Sequence, residues 1–87
     1  MKTIDHERSG GRCTRSLQRA FGANIRDKRL TEGLNKASFS LMASISRPTL
    51  DAIESGQGDP KFSTMHRISE ALGVDLGELL QDGSLSR

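Results

Sequence analysis

A chain of 87 residues with 33% hydrophobic residues, three Phe and neither Trp nor Tyr can build one small aliphatic core, but not a catalytic cleft between two lobes. Its lone Cys13 supports neither an internal disulfide nor a zinc framework, no apolar run could span a membrane and no secretory signal is visible, so a cytoplasmic home is expected. The formal charge is only +2, yet residues 1–29 carry a net +5 and residues 30–87 a net −3, which directs any attraction for phosphate to the N-terminal part and a few exposed cations, unless the basic tail serves solubility alone.

Residues 1–15 (MKTIDHERSGGRCTR) are polar and lack apolar periodicity, which predicts a flexible basic arm. Leu17, Phe21 and Ile25, four apart, mark one stripe of a first helix over 17–31. Gly22 interrupts that helix at a cost of about 1 kcal/mol against Ala, and Gly33 suits its C-terminal stop. Asn35 is an N-cap for a short second helix over 36–43 that carries Ala37, Phe39, Ser40 and Ala43. After a tight turn at Ser44-Ile45, Ser46 caps a third helix, with Pro48 in its first turn, Leu50 and Ile53 facing inward and Gly56 at its end.

Gln57-Gly58-Asp59-Pro60 is a loop. Phe62, Met65, Ile68 and Leu72 form the inward stripe of a fourth helix over 62–72, closed by Gly73. Asp75 and Glu78 have capping-box spacing and open a last short helix holding Leu76, Leu79 and Leu80. Residues 82–87 read as a frayed tail. The whole is an all-α, compact five-helix bundle: an arm over 1–15, a domain over 16–81 and the tail. No segment alternates with the period of a strand, and no repeat is present.

Two short helices joined by three or four residues are the outline of a helix-turn-helix. Its second helix must stand clear of the domain to enter a major groove about 12 Å wide, while the first crosses the backbone and braces it. The second helix here spans Arg47 to Ser55. Arg47 can donate two bonds to guanine O6 and N7, and Pro48 and the Thr49 methyl suit a thymine methyl. Asp51 and Ala52 lie further round. The Asp51 carboxylate would repel phosphate, accept from a cytosine N4 or restrain Arg47. Ser46, Ser55 and Gln57 flank the helix as further candidate DNA contacts. Lys36, a cation at a helix N-terminus, opposes the helix dipole and is either a phosphate ligand or simply solvated.

The segments IRDKR (25–29), GL (33–34), ISRPTLDAIESG (45–56), Pro60 and STMHRISEALGVDLGELL (63–80) occur in this order and spacing, and together they resemble the lambda-repressor-like (Cro or XRE) helix-turn-helix family of bacteria and phages over about sixty residues. The resemblance implies a five-helix bundle, Arg47 to Ser55 as recognition helix and dimeric binding to two operator half-sites. It also implies an ion pair between Arg29 and Glu54 that orients the recognition helix, as against two independent surface charges. The chain departs from the family pattern at several places. Lys36 replaces the usual Gln that braces a recognition-helix side chain. Ser40 replaces a small Ala. Ser44 replaces the turn Gly and must tolerate a left-handed backbone. Leu41 and Met42 stand where polar residues are usual; repacking beside the small Ala43 is expected of Met42, and Leu41 either joins it or faces a partner.

His66 and His6 lack an acidic or Cys partner at ligand or relay spacing, and no Ser has a nucleophile-elbow context, so neither an enzyme nor a cofactor is expected. Together with the resemblance, the residues lead to the expectation of a sequence-specific DNA-binding transcription regulator, a repressor acting on double-stranded DNA as a homodimer, with Leu76, Leu79, Leu80 and the residues just beyond them as the expected dimer contacts. The alternative is a protein-interaction module, such as an antitoxin-like partner, with DNA binding secondary.

Overall fold

A computed structural model describes residues 14–81. Five helices follow in order: α1 (Thr14–Thr31), α2 (Lys36–Ala43), α3 (Arg47–Glu54), α4 (Phe62–Leu72) and α5 (Leu76–Leu79), and no strand occurs among the described residues. The all-α five-helix expectation is met. Thr14, Arg15 and Ser16 are already helical, ahead of the expected start of the first helix at residue 17. The rest of the expected arm and the tail at 82–87 lie outside the described residues.

The helix ends follow from local chemistry. The Asn35 side chain accepts from the Ser38 N–H at 2.8 Å and starts α2. Asp75 and Glu78 form a reciprocal capping box at α5. Gly73, at φ 71°, stops α4 in the left-handed conformation that costs glycine nothing.

One core joins all five helices: Phe21 and Ile25 from α1, Phe39 and Ala43 from α2, Leu50 and Ile53 from α3, Ile68 and Leu72 from α4, and Leu79 from α5. Helix α1 packs against α3 and α5, α2 against α3 and α4, and α4 against α5. Side chains from other helices also reach the C-terminal ends of α5 and α2. Asn24 Nδ2 donates to the carbonyls of Leu79 and Gln81, at 2.8 and 2.6 Å. Arg67 Nε donates to the Ala43 carbonyl at 3.2 Å, so α4 satisfies an orphan acceptor at the end of α2.

Several expected core positions lie outside it. Phe62 is 70% exposed, because it sits at the first residue of α4, ahead of the turn whose Met65 and Ile68 meet the core. Leu17 is not buried but walls an open apolar cleft of about 290 Å³ with Phe21, Pro60, Met65 and Leu80. Met42 is 51% exposed and Leu41 83% exposed, since α2 turns Phe39, Ser40 and Ala43 inward. Met42 therefore does not repack beside Ala43. Leu79 is buried in the chain's own core and Leu76 and Leu80 pack against it, so α5 offers less free apolar surface than expected. Among the described residues, His66 Nε2 stands 3.7 Å from Glu70 one turn on; the expectation that His66 has no acidic neighbour is corrected.

Candidate nucleic-acid interface

The turn between α2 and α3 rests on Ser44, the one non-glycine among the described residues with positive φ, at φ 59° and ψ 45°. Its N–H reaches the Leu41 carbonyl at 3.2 Å, and the Ile45 N–H reaches the Ser40 carbonyl at 3.0 Å. These two bonds close α2 and swing the chain into α3. The Ser40 hydroxyl is buried there without a hydrogen-bond partner among the described residues, so the change from the family's small Ala leaves a polar atom uncompensated.

The Thr49 N–H donates to Ser46 Oγ at 3.2 Å, and the Ser46 hydroxyl donates to Thr49 Oγ1 at 2.8 Å. Pro48 falls in the first turn of α3, where its missing N–H removes no helical bond. The helix ends at Glu54, one residue before the expected boundary; Ser55 is its C-cap, with a hydroxyl that donates to the Ala52 carbonyl at 2.9 Å. The Gln57 N–H donates to the same carbonyl at 3.0 Å.

Leu50 and Ile53 anchor one face of α3 in the core, while Ser46, Arg47, Pro48, Thr49, Asp51, Ser55 and Gln57 are exposed and Ala52 and Lys36 half-buried. Most of the candidate residues are thus open to solvent. Among the described residues Arg47 makes no ion pair.

The back of α3 is locked to α1. Arg29 Nε meets Glu54 Oε2 at 2.7 Å and its Nη2 meets Oε1 at 3.0 Å, with the two side chains only 6% and 4% exposed. Arg29 Nη1 also donates to the Leu34 carbonyl at 2.9 Å, which ties the turn between α1 and α2 into the same knot. The Glu54 hydrogen bond raises the Arg29 pKa above its ordinary value, against the opposing cost of burial. The expected ion pair is present as a two-pronged bond.

Sequence reasoning missed the reason for Gly22. Any Cβ at that position would overlap the carbonyl oxygen of Ile53, so glycine lets the α1 backbone lie directly on α3. A signal existed: Gly22 and Arg29 are seven residues apart and share a helix face. Across the front of the motif, Lys36 Nζ meets Asp51 Oδ1 at 2.8 Å. The Asp51 pKa is lowered, first by its hydrogen bond to Lys36 and then, against slight desolvation, by the charges of Lys36, Arg47 and Arg29. Lys36 therefore braces an α3 side chain by charge, where the family's usual Gln would use its amide.

This geometry has relatives. Sixty-two residues are 31% identical to the transcriptional repressor RstR of the cryptic phage CTXphi from Vibrio cholerae, a match over 71% of this chain and 56% of the repressor, so the chain spans little more than half that relative's length. The fold is similar to that of a hypothetical transcription factor, NHTF, from Neisseria (TM-score 0.77, 20% identity, 86% of each chain). It is also similar to the restriction-modification controller protein C.AhdI from Aeromonas hydrophila (TM-score 0.68, 22% identity, 71% of this chain and 94% of that one). Residues 25–79 match the helix-turn-helix family model, which places the chain in the Cro/C1-type helix-turn-helix family of DNA-binding transcription regulators.

Proposed function

We propose that the protein is a sequence-specific transcription regulator of the bacterial or phage cytoplasm that lays α3 in the major groove of its operator. The observation that carries this reading is the asymmetry of α3: Leu50, Ile53 and Glu54 are held by the bundle while Arg47, Pro48 and Thr49 face solvent at its N-terminal end. Arg47 reads a guanine edge, Pro48 and Thr49 meet a thymine methyl, and Ser46, Asp51, Ala52, Ser55, Gln57 and Lys36 border them. Repression is supported by the likeness to a phage repressor. The protein acts as a homodimer on two half-sites about 34 Å apart.

Selection of bound duplexes from a random pool tests the reading; a two-fold symmetric consensus is expected, and recovery of no enriched sequence overturns it. Arg47→Ala is expected to cost roughly 1–3 kcal/mol of operator affinity and to relax choice at one base pair. Unchanged affinity and specificity would remove Arg47 from the interface.

A second reading, binding of a protein partner with DNA secondary, is favoured by Leu41 and Met42, two adjacent apolar side chains left exposed on α2. A salt series separates the readings: DNA binding weakens steeply as salt rises, through counterion release, whereas a purely protein-binding module shifts no duplex at any salt.

A further inference from the structure

The pair formed by Lys36 and Asp51 stands on the side of the motif that the proposed function turns toward DNA. We propose that these two side chains form a built-in counterion pair, which cancels one positive charge beside the DNA backbone and holds down affinity for duplex of any sequence, leaving recognition to Arg47. The inference rests on the groove-binding reading of α3.

Three observations carry it. The contact is direct, at 2.8 Å, and joins the first residue of α2 to the exposed side of α3. Lys36 stands at a helix N-terminus with no acidic residue in its own first turn, so Asp51 offsets a cation that the α2 dipole disfavours. Asp51 is the acidic group on the exposed face of α3, since Glu54 is committed to Arg29. If Lys36 left for a phosphate, it would leave an uncompensated carboxylate next to a polyanion, a cost that opposes the exchange. Arg47, one turn before Asp51, adds a further attraction to that carboxylate while making no ion pair of its own among the described residues.

The counterion stoichiometry of binding tests this. Fluorescence anisotropy of a labelled 30-base-pair mixed-sequence duplex, titrated with the full chain at a series of salt concentrations, gives the slope of log K against log salt. The slope is compared for the wild type, Asp51→Asn and the double variant Lys36→Gln/Asp51→Asn. If the pair stays closed on DNA, Asp51→Asn frees Lys36 for a phosphate, steepens the slope by about 0.9 and tightens binding several-fold. The double variant then returns to the wild-type slope. An unaltered slope in Asp51→Asn, with a double variant shallower than wild type by about 0.9, overturns the proposal, because Lys36 is then already on a phosphate. Wild-type protein that binds no duplex at any salt overturns the groove-binding reading, and this inference with it. Both side chains are partly exposed and outside the core, and an unchanged helical circular dichroism spectrum verifies that each variant is folded.

Discussion

The two faces of α3 are each held by an ion pair, and the pairs differ in what surrounds them. On the α1 side, Arg29 and Glu54 are dry, joined by two parallel bonds and supported by the Leu34 carbonyl. On the α2 side, Lys36 and Asp51 make one contact, and both remain open to water. A buried pair is costly to break from one side, because the remaining charge has no water to turn to. An exposed pair is screened by water and salt, so it adds little to the fold. The dry face fixes where α3 points, and the wet face sets the charge that α3 presents.

The largest expected effect is therefore on the dry side. Glu54→Ala strands the Arg29 guanidinium and is expected to lower stability by about 3–5 kcal/mol, measured by denaturant unfolding. A loss below about 1 kcal/mol would mean that water reaches Arg29 and that the pair does not lock α3. Gly22→Ala comes next. Its methyl must push the α1 backbone away from the Ile53 carbonyl, a strain expected to cost about 1–3 kcal/mol. Since the shift would tilt α3, DNA affinity should fall along with the melting temperature. A variant of unchanged stability would show that α1 and α3 separate without penalty. Arg47→Ala sharpens the contrast from the other side: its loss should appear in binding alone, with the unfolding midpoint unmoved, because Arg47 is exposed and unpaired among the described residues.

The dry face was partly legible in the sequence and the wet face less so. Local signals act over a few residues, and they placed the caps at Asn35, Ser46 and Asp75 and the stop at Gly73. Periodicity marked Phe21, Ile25, Leu50, Ile53 and Ile68 as core, and these are buried. It failed for Leu17 and Phe62 near the starts of their helices, where the stripe runs past the elements it packs against. It gave no account of Gly22, because the close approach depends on another helix more than thirty residues away. The expected pairing of Arg29 with Glu54 came from the resemblance, not from spacing. The contact of Lys36 with Asp51 crosses the turn between two helices, where charge patterning along either helix alone is silent.

The smallest expected effect lies in the turn that joins the two helices. Ser44 holds a left-handed backbone, φ 59° and ψ 45°, that crowds any Cβ. Glycine relieves that crowding but brings extra freedom to the unfolded chain, so the two contributions partly cancel. Ser44→Gly is expected to raise stability by roughly 0.5–1 kcal/mol, a rise of a few degrees in melting temperature for a domain of this size. Binding should not change, since the N–H bonds from Ser44 to Leu41 and from Ile45 to Ser40 are made by the backbone. A lower melting temperature would show that the Ser44 side chain contributes more than its strained backbone costs. The turn would then be a position where this chain replaced the family's glycine to its own advantage.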